Sequence, residues 1–73
     1  MEITNISGSI KIGDHVWLGK GVSVLKNTFI GSDAVVGMKS VVTENIPSSS
    51  LAVGNPAKVV RHGITWNRQH LNL

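Results

Sequence analysis

The sequence contains no cysteine, which excludes disulfide bonds and thiolate metal sites as sources of stability. A chain of 73 residues supplies one small domain, and a lone core of that size contributes only about 3–5 kcal/mol of net stability. We therefore expect further support from partner subunits or from a larger parent chain.

Long apolar runs and acidic residues are also scarce. No apolar run approaches the roughly 20 residues of a membrane span, and the first residues, MEITNISGS, lack the basic start and apolar stretch of a signal peptide. Seven Lys and Arg are present against four Asp and Glu, but the basic residues are scattered. These features predict a cytoplasmic protein with no membrane span and no nucleic-acid surface, and a few cations suit a small phosphorylated ligand better.

What the sequence does contain is a six-residue repeat between residues 10 and 43. Branched aliphatic residues recur at every sixth position, at Ile12, Leu18, Val24, Ile30, Val36 and Val42. A second series lies two residues earlier, at Ile10, Val16, Val22, Thr28, Ala34 and Ser40. A column of glycines follows the first series, at Gly13, Gly19, Gly31 and Gly37, and only Leu25 and Thr43 interrupt it.

This spacing predicts short strands separated by regular corners. A period of six would scatter the apolar residues around a helix, whereas residues two apart share one face of a strand. Each glycine would permit the turn that follows. Equal strands joined by equal corners favour an all-β parallel solenoid of about two triangular coils, while an irregular small barrel has no reason to keep a constant spacing.

The predicted domain organisation is a single truncated solenoid domain over residues 1–73. Residues 10–43 hold the repeats, residues 44–61 an exit loop and strand, and residues 62–73 a C-terminal cap. Within the last part, residues 63–73 read GITWNRQHLNL. It predicts a short helix with Thr65 as its N-cap and Trp66 as its anchor, covering the open end of the solenoid.

The stretches VWLG, VVGMKSVVT and AVGNPAKVVR resemble the C-terminal half of the hexapeptide-repeat acyltransferases. This left-handed β-helix family includes galactoside, xenobiotic and serine acetyltransferases and many sugar O-acetyltransferases. The resemblance covers residues 10 to about 61. It implies a left-handed β-helix, a homotrimer, acetyl-CoA as the acyl donor, and an active site in the groove between neighbouring subunits.

The resemblance also implies ligand-binding residues. Gly37, Met38 and Lys39 correspond to the coil whose backbone lines the pantetheine arm of CoA, although the family commonly has Ala and Gly where this chain has Met and Lys. Lys58 and Arg61 are the candidates for the nucleotide phosphates, with solvated surface charges as the alternative. Trp17 is the candidate at the acceptor site, and burial against a neighbouring subunit is its alternative.

No catalytic residue is predicted in this chain. The family uses a His as general base, and that His normally lies in an upstream coil. His15, His62 and His70 are interpreted as surface histidines, and no metal-ligand spacing is present. Two functions stay open: the donor-binding part of a sugar O-acetyltransferase whose His is lost by truncation or supplied by a separate polypeptide, and a non-catalytic trimeric β-solenoid module.

Overall fold

The computed structural model describes residues 10–66, which form an all-β structure of eight short strands. In chain order the strands are β1 (Ile10–Ile12), β2 (Trp17–Leu18), β3 (Ser23–Val24), β4 (Thr28–Ile30), β5 (Val35–Val36), β6 (Val41–Val42), β7 (Ser50–Gly54) and β8 (Ala57–His62). Across residues 10–66 no helix is long and apolar enough to cross a membrane. Thr65 and Trp66 are not helical, and the rest of the predicted C-terminal helix, residues 67–73, lies outside the described residues.

The first six strands pair in parallel with partners 18 residues further along the chain. Three small sheets result: β1 with β4, β3 with β6, and a four-stranded sheet in the order β2, β5, β7, β8. The register aligns Ile10 with Thr28, Trp17 with Val35, and Ser23 with Val41. Three six-residue segments therefore separate each strand from its partner, so the sequence repeat appears directly in the sheet pairing.

Between strands the backbone turns through single residues with positive φ, which also recur every six positions. These residues are His15, Gly21, Asn27, Asp33 and Lys39, with φ between 54° and 74°. His, Asn and Asp are enriched in this left-handed region relative to other side chains. The turns therefore do not use the glycine column, contrary to the expectation from the sequence.

The glycine column is required instead by close approach of the backbone that lies three six-residue repeats later in the chain. A Cβ on Gly19 would lie 2.5 Å from the backbone nitrogen of Met38, and one on Gly13 would lie 2.6 Å from that of Ser32. Both distances are shorter than real Cβ contacts. These positions exclude a side chain because the neighbouring backbone occupies its place.

Inward-facing side chains stack into one aliphatic core. The six-residue series is buried from its second member onward, at Leu18, Val24, Ile30, Val36 and Val42. Ile12 is 38% exposed, because β1 is an edge strand. Two buried polar residues at inward positions are satisfied: Thr28 Oγ1 donates to the carbonyl of Leu25 at 2.6 Å, and Ser40 Oγ accepts the N–H of Gly54 at 3.0 Å.

Parallel pairing continues beyond residue 43 with a shorter spacing. Ile46 forms a bridge with Ile30, and β7 pairs with β5, both at a separation of 16 residues. The two residues are lost before Ile46, where the Oδ1 atom of Asn45 accepts the N–H of Phe29 at 2.8 Å. A side-chain carbonyl thus satisfies a backbone donor at the shortened corner.

The chain leaves the repeats through an antiparallel hairpin of β7 and β8, which covers the free edge of β7. It then turns back towards the first repeat. The N–H of Ile64 donates to the carbonyl of Ser49 at 2.9 Å, and the ring of Trp66 stacks on His15. The described part of the predicted cap therefore runs along one corner of the repeats.

Candidate functional site

The four-stranded sheet brings the predicted site residues Trp17 and Arg61 onto one surface. Its register aligns one residue from each strand in a row: Trp17, Val35, Leu51 and Arg61. Side chains directly opposite one another project from the same face of a sheet. Leu18 lies in the core, so the row that contains its neighbour Trp17 faces outward. Trp17 and Arg61 stand three strand spacings apart, or roughly 14 Å.

Lys58 joins this outer face because β8 contains a β-bulge. On a regular strand, residues three apart project from opposite faces. Here Val59 and Arg61 pair with successive residues of β7, which leaves Val60 as an extra residue. The bulge resets the alternation, so that Lys58, opposite Val53, faces outward together with Arg61. Both cations are exposed, and within residues 10–66 neither forms an ion pair.

The corner after β5 holds the other three predicted ligand residues. Gly37 is buried, and its N–H donates to the carbonyl of Ala52 at 2.9 Å. The N–H of Lys39 donates to the carbonyl of Lys20, also at 2.9 Å. Met38 and Lys39 are exposed, and within the described part of the chain their carbonyl oxygens accept no hydrogen bond. The corner therefore offers a ligand carbonyl oxygens rather than the N–H groups of Gly37 and Lys39.

Trp17 lies in the wall of an open cleft of about 950 Å³, lined by residues 12–18 with Lys20 and Trp66. Its Nε1 atom is buried and has no hydrogen-bond partner within residues 10–66. The ring of Trp66 meets Trp17 edge-on, with centroids 6.3 Å apart and planes at 68°. The cleft thus combines two indole rings with an unsatisfied donor.

A paired His15 and Asp33 stand beside this cleft, and the sequence analysis did not single the pair out. His15 Nδ1 lies 2.8 Å from Asp33 Oδ1, and both side chains are about half exposed. With its hydrogen on Nδ1, the imidazole donates to the carboxylate and keeps Nε2 as an acceptor. The two residues are 18 positions apart at the same corner, so the repeat itself was the signal that could have located them.

The remaining histidines are not part of this arrangement. His62 is exposed at the end of β8, and His70 lies outside the described residues. In residues 10–66, no group of three or more His, Asp and Glu side chains is placed to hold a metal ion. The surface instead combines two cations at one edge of a sheet with an aromatic cleft at the other, which suits an elongated ligand with an anionic end.

Comparison with known proteins finds a family model that matches the repeat and proteins that are similar in sequence. Residues 9–44 match the family model described as bacterial transferase hexapeptide (six repeats). A Staphylococcus aureus (strain MRSA252) protein named "Putative acetyltransferase SAR2635" is 54% identical over 55 residues, which is 75% of this chain and 28% of that protein.

Two solved structures are similar in fold and sequence. The polySia-specific acetyltransferase NeuO has a TM-score of 0.84 and 40% identity, over 92% of this chain and 32% of its own. Galactoside acetyltransferase in complex with coenzyme A has a TM-score of 0.75 and 39% identity, over 77% of this chain and 28% of its own. The chain spans less than a third of each of these three proteins. Its repeat, its strand pairing and these similarities show that the chain belongs to the bacterial transferase hexapeptide family.

Proposed function

We propose that this chain is the C-terminal, donor-binding part of an acetyl-CoA-dependent O-acetyltransferase that acts on a sugar or a polysaccharide precursor. The observation that carries the proposal is the outer face of the four-stranded sheet, where the bulge of β8 places Lys58 and Arg61 together. The similar structures include an acetyltransferase in complex with coenzyme A and a polySia-specific one, which supports both the donor and the sugar acceptor.

The residues present fit the two ends of acetyl-CoA. Lys58 and Arg61 would pair with the nucleotide phosphates, since charge-assisted hydrogen bonds to phosphate are among the strongest that a surface can offer. At the corner after β5, the carbonyl oxygens of Met38 and Lys39 would accept the amide N–H groups of the pantetheine arm. Gly37 contributes to this corner by allowing close approach of the next strand, because a Cβ there would lie 2.7 Å from Val53 Cγ1.

Acetyl transfer to a hydroxyl also requires a base that removes the acceptor's proton. We assign this step to no residue of the chain, and we place Trp17 at the acceptor. The overall architecture that we propose is a left-handed β-helix assembled as a homotrimer. Large apolar side chains that remain exposed on a single chain support assembly, among them Phe29 at 45% and Met38 at 53% exposure.

Calorimetry with coenzyme A tests the donor-binding half of the proposal. We expect binding by the wild-type chain and a clear loss of affinity in the Lys58→Ala/Arg61→Ala double variant, because two cations are removed from one face. Lys11→Ala is the matched control, since Lys11 is an exposed cation on β1 in a different sheet. It should bind coenzyme A like the wild type.

Two outcomes would contradict the proposal. Unchanged affinity in the double variant would remove Lys58 and Arg61 from the site. No detectable binding by a wild-type chain that is folded and trimeric would favour the alternative, a non-catalytic β-solenoid module. That alternative keeps the assembly and explains the exposed cations as solvated surface charges.

A further inference from the structure

Three contacts hold the C-terminal segment Ile64–Trp66 along one corner of the repeats. The N–H of Ile64 donates to the carbonyl of Ser49 at 2.9 Å. The Nε1–H of Trp66 donates to the carbonyl of Asp33 at 3.1 Å, and its ring stacks on His15 with centroids 4.0 Å apart and planes at 4°. Ser49, Asp33 and His15 are all positive-φ corner residues. The segment therefore runs along one corner, from Ser49 near the end of the repeats to His15 near their start.

Trp17 lies beside the end of this segment, and its own indole N–H is in an unfavourable position. Trp66 meets Trp17 edge-on across the cleft, and Trp17 Nε1 is buried with no acceptor in the part of the chain that the structure describes. A buried donor without a partner costs free energy that a hydrogen bond to a ligand would recover. The Nε1–H of Trp66, in contrast, has an acceptor in Asp33 while the segment stays in place and would donate to water when the segment lifts.

We propose that Ile64–Trp66 is a reversible cover over the Trp17 cleft. In the closed state Trp66 forms one wall of the cleft and lies edge-on against the ring of Trp17, and when it lifts, an oxygen atom of the ligand accepts the Nε1–H of Trp17. The segment is held by two backbone acceptors and by a ring contact to a half-exposed imidazole, so it can leave without disturbing the core. The identity of the ligand, acetyl-CoA through its carbonyls or a sugar through its hydroxyls, rests on the proposed function; the cover itself does not.

Fluorescence quenching tests the cover without any ligand. The chain has two tryptophans, so Trp66→Ala and Trp66→Phe each leave Trp17 as the single fluorophore. Phenylalanine can keep the ring contact to His15, whereas alanine cannot. We expect acrylamide to quench Trp17 several-fold more strongly in Trp66→Ala than in Trp66→Phe, with circular dichroism confirming that both variants are folded. Equal quenching would overturn the inference.

Nuclear magnetic resonance of the wild-type chain provides a second test. Two indole N–H signals are expected, and Trp66→Phe assigns them. On addition of acetyl-CoA or of a simple galactoside, the Trp17 signal should shift, and the Trp66 N–H should exchange faster with solvent as its bond to Asp33 opens. Trp66→Ala should also bind the effective probe more tightly than Trp66→Phe, because closure no longer competes with binding.

The outcomes separate this inference from the proposed function. A probe that binds while the Trp66 signal and its exchange rate stay unchanged would show that Trp66 is a fixed wall, and the cover would be refuted. If neither probe binds, the proposed function fails, and the cover stands only if the Trp66 N–H of the wild-type chain also exchanges with solvent much faster than the N–H groups of the strands; equally slow exchange would refute the cover. If acetyl-CoA and not the galactoside moves both signals, the donor is the ligand that displaces Trp66; the reverse pattern identifies the sugar.

Discussion

Substitution of Gly19 by Ala tests the close approach between repeats, which organises the whole structure. The added methyl group would meet three backbone atoms of Gly37 and Met38 at 2.5 to 3.0 Å, whereas ordinary contact begins near 3.4 Å. Backbone atoms cannot rotate away as a side-chain tip can. The two repeats must therefore separate locally, which strains the hydrogen bond from Gly19 N–H to the carbonyl of Val36, now 2.8 Å long.

The expected loss of stability can be estimated from its parts. Overpacking in a tight site costs about 1–3 kcal/mol, and a weakened backbone hydrogen bond about 1 kcal/mol more. Alanine also lowers the conformational entropy of the unfolded chain, which raises the free energy of unfolding by about 0.4–1 kcal/mol. The net expectation for Gly19→Ala is a loss of about 2 kcal/mol, close to half of the roughly 3–5 kcal/mol available to a core of this size.

The control is Gly37→Ala, the same substitution in the same column 18 residues later. There the nearest atom is Val53 Cγ1 at 2.7 Å and the next lies at 3.6 Å. Val53 is 37% exposed, so its side chain can move outward at little cost. We expect a loss below about 1 kcal/mol, because a single side chain must adjust instead of a backbone.

Urea unfolding followed by circular dichroism measures both variants. Protein concentration must be held constant, because assembly makes the midpoint depend on it. With an m-value of about 1 kcal/mol/M, the midpoint of Gly19→Ala should fall by about 2 M, and that of Gly37→Ala by less than half as much. Equal midpoints for the two variants, or a wild-type midpoint for Gly19→Ala, would refute the close approach as the reason for the glycine column.

Three further predictions address the core, a buried hydrogen bond and the assembly. Val24→Asp should abolish the cooperative thermal transition, because Val24 is fully buried and the introduced carboxylate would have no partner. The control Leu25→Asp, at a position 38% exposed, should keep the transition. A cooperative transition in Val24→Asp would contradict the assignment of Val24 to the inward-facing core. Ser40→Ala should cost about 1–3 kcal/mol in urea unfolding by leaving the N–H of Gly54 without its acceptor, while the exposed Ser48→Ala should cost less than about 0.5 kcal/mol. Equal losses in the serine variants would remove that bond as a source of stability. Sedimentation should show a trimer at micromolar concentration, and a folded monomer would contradict the proposed assembly.

The strand pattern could be predicted from the sequence because it is periodic. A constant interval of six places every strand in the same register relative to its corner, so Leu18 turns inward and Trp17 outward without knowledge of the rest of the fold. The same interval accounts for the separation of 18 residues between paired strands. The loss of two residues before Ile46 could not be predicted, because it depends on Asn45 replacing a backbone acceptor.

The role of the glycine column was predicted incorrectly, for a reason that applies to any single sequence. Glycine is required where φ is positive and also where a neighbouring backbone leaves no room for a Cβ. Both requirements place a glycine in the sequence, so the sequence alone does not tell them apart. Here the positive-φ positions lie two residues later and carry His15, Asp33 and Lys39, residues that composition does not distinguish from ordinary surface positions. Only the distances around Gly19 separate the two explanations.

The candidate site depends on features that lie outside the repeat. Lys58 and Arg61 were chosen by resemblance, but their common face follows from the extra residue Val60. The contact of Trp66 with His15 joins residues about 50 positions apart, at the end of a segment with no periodicity. The residues of the sheet could therefore be found from the sequence, and so could Trp66 as an anchor, but not the contact of Trp66 with His15 beside the cleft.

The geometry of the four-stranded sheet gives the proposed ligand a direction. Between Arg61 at one edge and Trp17 at the other, the same outward row holds the aliphatic residues Leu51 and Val35. Because Val35 is only 2% exposed, an elongated molecule on this face would meet cations first, then Leu51, and then the aromatic cleft beside His15 and Asp33. A nucleotide bound at Lys58 and Arg61 would therefore direct its acyl end towards Trp17. Because the cover formed by Trp66 lies at that end, its displacement would be coupled to arrival of the reactive group and not to binding of the phosphates.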